Sequence, residues 1–224
     1  MQLSDKRKHQ DNICFACPHK AISFKELSYT ELKLTNENKV HLRFKKGETI
    51  AKQGAFVTHV LYLKKGMVKV YKEVDYKTNL ILDIHRSGKL LGLSSLFGSN
   101  VFQYSIAALE NSIICAIDKQ VIERLVKNNG DFAADLMDSV NNDLQNSRNK
   151  LVSLSMKQLN GRLADALLYL SDDVYGSDAF HLSLTRKDLA ELSGMSTMSV
   201  VRTLQDFMKG GLIENANHEL KIKD

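Results

Sequence analysis

The periodicity of this chain changes once, near Lys119, and that change confines it to a β-type unit followed by a helical one. From Val40 to Ile117 the apolar residues come in short runs: Val40–Phe44, His59–Leu63, Met67–Val74, Leu80–His85, Tyr104–Ala108 and Ser112–Ile117. Period two is clear in Val68-Lys69-Val70-Tyr71-Lys72 and Leu80-Ile81-Leu82-Asp83-Ile84. Glycines 47, 54, 66, 88, 92 and 98 fall between runs, where turns need positive φ. The pattern predicts an all-β sandwich, roll or barrel. Beyond Gly130, Met137, Val140, Leu144, Ser147, Leu151 and Leu154 recur at alternating spacings of three and four. That is a heptad seam. Its flanks are polar, and so narrow a stripe predicts a helix that pairs with a second copy. A helix packed on its own domain is the alternative.

The remainder reads as helix, helix, helix, hairpin. About Lys157–Ser171 carries Leu159, Leu163, Ala166, Leu167 and Leu170 and stops before the polar turn Asp172–Asp178. A β-type segment, Phe180–Leu184, precedes Thr185-Arg186-Lys187-Asp188, which resembles a capping box. The helix Lys187–Leu192 runs into Gly194, and Ser196 caps a further helix to about Lys209. Gly210-Gly211 ends it, and Leu212-Ile213 with Glu219–Ile222 forms a small hairpin. This is the winged helix-turn-helix order. The chain therefore divides into 1–25, a cysteine-containing segment; 26–130, the β domain; 131–154, the long helix; and 155–224, the winged helix.

The 224 residues suffice for one large or two ordinary domains, and 43% apolar with 25% charged is a globular balance. No run approaches the ~20 apolar residues of a membrane span. Residues 1–9 lack the apolar stretch of a secretory signal, so a cytoplasmic protein is expected, with no membrane partner. Net charge is +5, but residues 155–224 hold 8 basic and 10 acidic side chains against 23 and 16 in residues 1–154. Binding of nucleic acid by the C-terminal third must therefore come from local placement. Histidines 9, 19, 41, 59, 85, 181 and 218 are scattered, and no nucleophile–base pairing or phosphate loop stands out, which argues against an enzyme.

The helix after Ser196 has two faces. Val200, Leu204 and Phe207 form a stripe to bury, while Met198, Arg202, Gln205 and Lys209 form the opposite one. A recognition helix needs this division. Arg202 can donate two bonds to a guanine edge. Thr197 and Ser199 are candidates for bases or phosphates, and Ser196, Arg186 and Lys187 for phosphates. A ligand-binding signalling module whose C-terminal helices bind protein is the rival.

Leu184-Thr185-Arg186-Lys187-Asp188-Leu189-Ala190-Glu191-Leu192-Ser193-Gly194-Met195-Ser196 with Val200-Val201-Arg202-Thr203-Leu204 resembles the DNA-binding motif of the Crp/Fnr transcription regulators. Arg43-Phe44-Lys45-Lys46-Gly47-Glu48 and Gly88–Phe97 resemble the start and the effector segment of that family's cyclic-nucleotide-binding-type domain. The resemblance spans nearly the whole chain. It implies an α+β fold: an antiparallel β-roll (double-stranded β-helix), a long dimerisation helix and a C-terminal winged helix-turn-helix. It also implies a homodimer on a pseudo-palindromic duplex DNA site, with RNA polymerase as a further partner, coupling an effector or redox signal to promoter binding.

Two departures stand out. Members that bind cyclic AMP carry a Gly-Glu pair for the ribose and an Arg-Ser pair for the phosphate; here the places hold Gly92-Leu93 and Gln103-Tyr104. Residues 90–118 contain no Lys or Arg, so a buried phosphodiester would lack a counter-charge. Cyclic AMP is not expected, and Leu91, Gly92, Leu93, Gln103 and Tyr104 remain the candidates for another effector. In the recognition helix the family's Ser-Arg-Glu is Ser196-Thr197-Met198, leaving Arg202 alone of the main reading pair.

Cys14-Phe15-Ala16-Cys17 and Cys115 are placed as in oxygen-sensing Fnr proteins, which hold a 4Fe–4S cluster on four cysteines. The fourth place falls near Ser23, and His19 or a carboxylate is the candidate substitute. A cluster, another metal and inert thiols, with Cys115 in a buried strand, all stay open.

Overall fold

A computed structural model describes residues 14–17, 22–75, 78–216 and 219–223. Two four-stranded antiparallel sheets build the N-terminal unit. One runs β1 (Lys39–Phe44), β8 (Ser112–Asp118), β3 (His59–Lys65), β6 (Leu90–Leu91) in space; the other runs β2 (Thr49–Ala51), β7 (Ser105–Ala108), β4 (Met67–Glu73), β5 (Asn79–Arg86). All six expected runs are strands, with ends moved by a residue or two. The β3–β4 turn requires Gly66: its φ is +101°, and a Cβ there would lie 2.3 Å from Ser112 Oγ. Ile106, Ile114, Leu63 and Val68 are fully buried in the core that spans this roll.

Four elements escaped the periodicity. The strands β2 and β6 are too short to show one. Helix α1 (Tyr29–Glu37) buries only Leu32 and Thr35, so it has no apolar stripe to read. It is fixed by a capping box, in which Ser28 N–H donates to Glu31 Oε2 at 2.8 Å. A one-turn helix α2 (Leu93–Leu96) interrupts the loop before β7.

Asp118 caps α3 (Lys119–Asn128), and Asn129 caps α4 (Gly130–Met156), the long helix, through a bond from Phe132 N–H at 3.0 Å. Then come α5 (Leu159–Tyr169), β9 (Ala179–His181), α6 (Arg186–Ser193), α7 (Thr197–Lys209), β10 (Ile213–Ala216) and β11 (Glu219–Ile222). The last three strands form one antiparallel sheet, β10-β11-β9. The expected polar turn from Asp172 is instead a π-helical continuation of α5, Leu170–Tyr175. It buries Leu170, Ser171 and Val174 while Asp172 and Asp173 stay outside. The β-type segment is shorter than expected, because Leu182 and Leu184 enter the core as the chain turns into α6.

The two units are not separated by solvent. Met67, Tyr71, Ile81 and Ile84, on the side of β4 and β5 away from Val68 and Val70, share a second core with Leu163, Leu167, Leu189, Val200 and Leu220. The pleat sends alternate residues of β4 into two different cores.

Candidate functional site

The helix-turn-helix is set by three local devices. Thr185 and Asp188 make a reciprocal capping box at the start of α6: Thr185 N–H donates to Asp188 Oδ2 at 2.9 Å, and Asp188 N–H to Thr185 Oγ1 at 3.1 Å. Gly194 ends α6 at φ +62°, and a Cβ there would lie 2.8 Å from Leu154 Cδ2, so the turn is pressed onto the end of α4. Ser196 caps α7, accepting from Ser199 N–H at 3.1 Å.

On α7, Val200, Thr203 and Leu204 are buried, while Thr197, Met198, Arg202, Gln205 and Lys209 are exposed. Met198 is 84% exposed, among the most open apolar side chains of the described residues. Arg186 is half-buried. Lys187 is exposed, its Nζ 3.7 Å from Glu191 Oε1. The hydroxyls of Ser196 and Ser199 lie 2.8 Å apart within the cap. Met198 and Arg202, one turn apart, thus lie with Gln205 and Lys209 on one open side of α7.

The effector candidates are dispersed. Leu91 and Leu93 are buried in the roll's core, and Gly92 (φ +91°) turns the chain beside Phe102. Gln103 is exposed, its amide donating to Ser99 Oγ at 2.8 Å. Tyr104 is half-buried, its hydroxyl 3.4 Å from Ser94 Oγ. The absence of Lys and Arg from residues 90–118 is offset from outside, since Lys72 Nζ donates to Gln103 O at 2.7 Å.

The three cysteines do meet. Cys14, Cys17 and Cys115 line one small cavity of about 20 Å³ with Phe24, Leu32, Thr35, Lys39, His41, Tyr62, Lys64 and Ile117. Cys115 lies mid-strand in β8, directly between His41 of β1 and Tyr62 of β3, and pairs in register with both. Directly paired residues project to one face, here the face opposite Ile114 and Ala116. The short 3₁₀ turn Cys14–Ala16 covers that face. Cys14 N–H donates to Asn36 Oδ1 at 3.1 Å, and Lys39 Nζ to Cys14 Sγ at 2.9 Å.

Burial pushes the Cys115 thiol up to about 11, against the opposing charges of Lys39 and Lys64. Burial also drops the His41 imidazole to about 4, helped by Lys39, Lys64 and Arg43. His41 Nε2 is buried without a hydrogen-bond partner among the described residues. His19 lies outside the described residues, and of Ser23 only the backbone is described. Among the described residues, no carboxylate lines the cavity.

His41 was not singled out from the sequence. Lys39, His41 and Arg43 alternate with Val40 and Leu42, which reads as a polar face toward solvent. The face is instead partly covered by the N-terminal turn, and Val40 and Leu42 are exposed on the other side of this edge strand. A second group unseen in the sequence is Asp83, His85 and Asp143, whose ligand-type atoms lie within 4.8 Å of one another. Each already has a place in a polar junction: Tyr169 Oη donates to Asp83, Lys89 Nζ is 2.6 Å from Asp143 Oδ1, and burial lowers the His85 pKa.

Residues 41–129 match the cyclic nucleotide-binding domain, and residues 161–224 the Crp-like helix-turn-helix domain. The transcriptional activator protein FnrA of Stutzerimonas stutzeri is 24% identical over 184 residues, covering 80% of this chain and 75% of its own. Electron transport regulator A of Shewanella oneidensis is 25% identical over 183 residues, covering 80% and 73%. Among solved structures, FixK2 from Bradyrhizobium japonicum superposes with a TM-score of 0.76 at 18% identity, over 83% of this chain and 93% of that one. These likenesses are to transcriptional regulators, not to enzymes. No helix among the described residues is long and apolar enough to cross a membrane.

Proposed function

The chain belongs to the Crp/Fnr family of transcriptional regulators, and on that premise we propose that it is a homodimeric, redox-responsive regulator. In this reading Cys14, Cys17 and Cys115 hold an iron–sulfur cluster whose presence governs promoter binding. The observation that carries it is the convergence of the three cysteines on one cavity, one of whose lining residues, Phe24, packs against the long helix. Phe24 lines that cavity, stacks on Phe132 of α4 with ring centroids 5.9 Å apart, and meets Tyr62 edge-on at 5.5 Å. Asn129, the cap of α4, donates to Glu26 O at 3.2 Å and to the Glu31 carboxylate at 3.3 Å. A change in how the cysteine turn seats therefore reaches the first turn of α4 through direct packing.

The donor set suits the group. Thiolates are soft ligands for iron–sulfur centres, and Lys39 and Lys64 offset their charge. When bound, such a cluster supplies a centre that oxygen degrades. The protein's own residues seat it, exclude bulk water with Phe24, Leu32 and Ile117, and link it to α4.

Homodimerisation rests on α4. Met137, Val140, Leu144 and Leu151 are 40–74% exposed along one line of an otherwise polar helix. The DNA contacts of this reading are Arg202, Met198 and Thr197 toward bases, and Arg186, Lys187, Ser196 and Ser199 toward phosphates. RNA polymerase is the downstream partner. Cyclic AMP is not the effector.

The test is anaerobic purification from iron-replete cells, with iron, sulfide and absorbance measured before and after air, alongside binding to a pseudo-palindromic duplex. Brown protein that bleaches in air and changes DNA affinity is expected. Colourless, iron-free protein overturns the cluster.

A further inference from the structure

Resting on the reading of the three cysteines as a metal centre, we propose that His41 is its fourth ligand, through Nε2. Four observations converge. His41 and Cys115 are register partners on adjacent strands, so their side chains start from neighbouring points on one face of a rigid sheet. Both line the cavity that Cys14 and Cys17 close. His41 Nε2 is buried with no hydrogen-bond partner among the described residues, a cost that a protein bears where a ligand is to be held. Among the described residues that line the cavity there is no Asp or Glu, and its two lysines are cations, so His41 offers the free donor there.

Three thiolates and one imidazole form a ligand set known to suit both iron–sulfur clusters and zinc. The spacing favours the larger occupant. Tetrahedral zinc holds its sulfurs ~3.8 Å apart, by its ~2.3 Å bonds. Among the described residues, the one set of three or more ligand-type atoms within 4.8 Å of one another is Asp83, His85 and Asp143, not the cysteine group. The cavity of about 20 Å³ is nonetheless too small for a cube of iron and sulfide. Two ligands are fixed on the sheet, while Cys14 opens the three-residue turn Cys14–Ala16 outside it and Cys17 directly follows that turn. Seating a cluster therefore means that Cys14 and Cys17 stand off from Cys115 and His41 and press on Phe24, which lines the same cavity. That movement is the one that would be transmitted to Phe132.

The test uses full-length protein reconstituted anaerobically with ferrous iron and sulfide, or loaded with zinc alone. Metal and sulfide are counted per protomer. Pulsed electron paramagnetic resonance of the dithionite-reduced protein is compared with and without ¹⁵N-labelled histidine. Wild type should show sulfide, iron and a nitrogen coupling that changes with the label. His41→Ala should bind iron at least about tenfold more weakly, and His59→Ala, on β3 two strands away in the same sheet, should not. His41→Cys restores a fourth ligand, so it should keep the iron and lose the nitrogen coupling; this holds even if the alanine variant folds poorly. A wild-type cluster without nitrogen coupling, unchanged in His41→Ala, overturns His41 and leaves the three-cysteine reading intact. Zinc bound in a His41-dependent way without any cluster overturns the cluster and keeps His41. Wild type that takes up neither metal overturns both.

Discussion

Met198 and Arg202 stand one turn apart on the open face of α7, and they differ in what they can read. A guanidinium fork matches the two acceptors of a guanine edge, a contact worth about 1–3 kcal/mol. Arg202→Ala should therefore weaken binding to the preferred duplex about 5–150-fold, and binding to random duplex much less. Arg202→Lys should recover only part, because an ammonium is a point charge. Equal losses on both duplexes, measured by titration at fixed salt, would make Arg202 a phosphate contact. Methionine offers an apolar thioether where a Glu would accept from a cytosine amino group. A site selected from random DNA should thus favour A·T opposite Met198, and Met198→Glu should acquire G·C at one symmetric position per half-site. Gly194 tests the scaffold beneath them. Gly194→Ala places a Cβ at φ +62° and 2.8 Å from Leu154 Cδ2. It should destabilise the protein by about 1–2 kcal/mol, read as a lower melting temperature.

At the scale of elements, α4 carries two kinds of apolar position that one heptad pattern conceals. Leu144 and Leu151 are 47% and 65% exposed, whereas Leu154 is half-buried against the Gly194 turn of its own chain. Glutamate at Leu144 and Leu151 together should give a monomer by light scattering, with weak DNA binding. A dimer of unchanged affinity would assign the seam to something else. The strands, the long helix and the helix-turn-helix were legible in the sequence because each has a period, a cap or a glycine where the backbone demands one. Helix α1 was not, since it is held by its cap rather than by an apolar stripe. The effector stretch was legible as a motif but not as a pocket: Leu91 and Leu93 are core residues, which alternation alone cannot distinguish from a cavity lining. The cysteines could be paired with one another by resemblance. His41 could not, because its neighbourhood to Cys115 is a matter of strand register between residues 74 positions apart in the chain.

For the whole molecule, the decisive surface is the one between the roll and the winged helix. Lys150 of α4 reaches into it, donating to Ile81 O at 2.7 Å and Leu82 O at 3.2 Å. Burial lowers its pKa to about 8, while the unfolded chain keeps that proton to about 10.4. Between these values the unfolded state binds more protons, so stability should rise with pH from about 8 towards 9.5, and Lys150→Met should flatten that slope in urea melts. Lys69 makes the stronger tie. In β4 it reads as an exposed residue of an alternating strand, yet its Nζ lies 2.6 Å from Asp188 Oδ1 and 3.0 Å from Glu191 Oε2, both on α6. Burial would lower its pKa, but the bonds to Asp188 and Glu191 hold it above the usual lysine value. Asp188, although buried, is held below the usual carboxylate range by Lys69 and Thr185. Both directions describe a pair that is charged throughout the neutral range. Such a pair gives little net stability over an apolar contact, but losing one member leaves buried charge uncompensated, at about 3–5 kcal/mol. Lys69→Met leaves Asp188 without its cation and Glu191 with only the exposed Lys187 at 3.7 Å, so the first helix of the helix-turn-helix should lift from the roll. Amide hydrogen exchange should quicken in α6 and the facing part of β4, while the sheet β1-β8-β3-β6 keeps its protection. Lys69→Met combined with Asp188→Asn and Glu191→Gln should regain most of the loss, since no charge then remains to be buried. If the triple variant is no more stable than Lys69→Met, or if α6 stays protected in the single variant, the apolar contacts of Met67 and Tyr71 hold the interface by themselves.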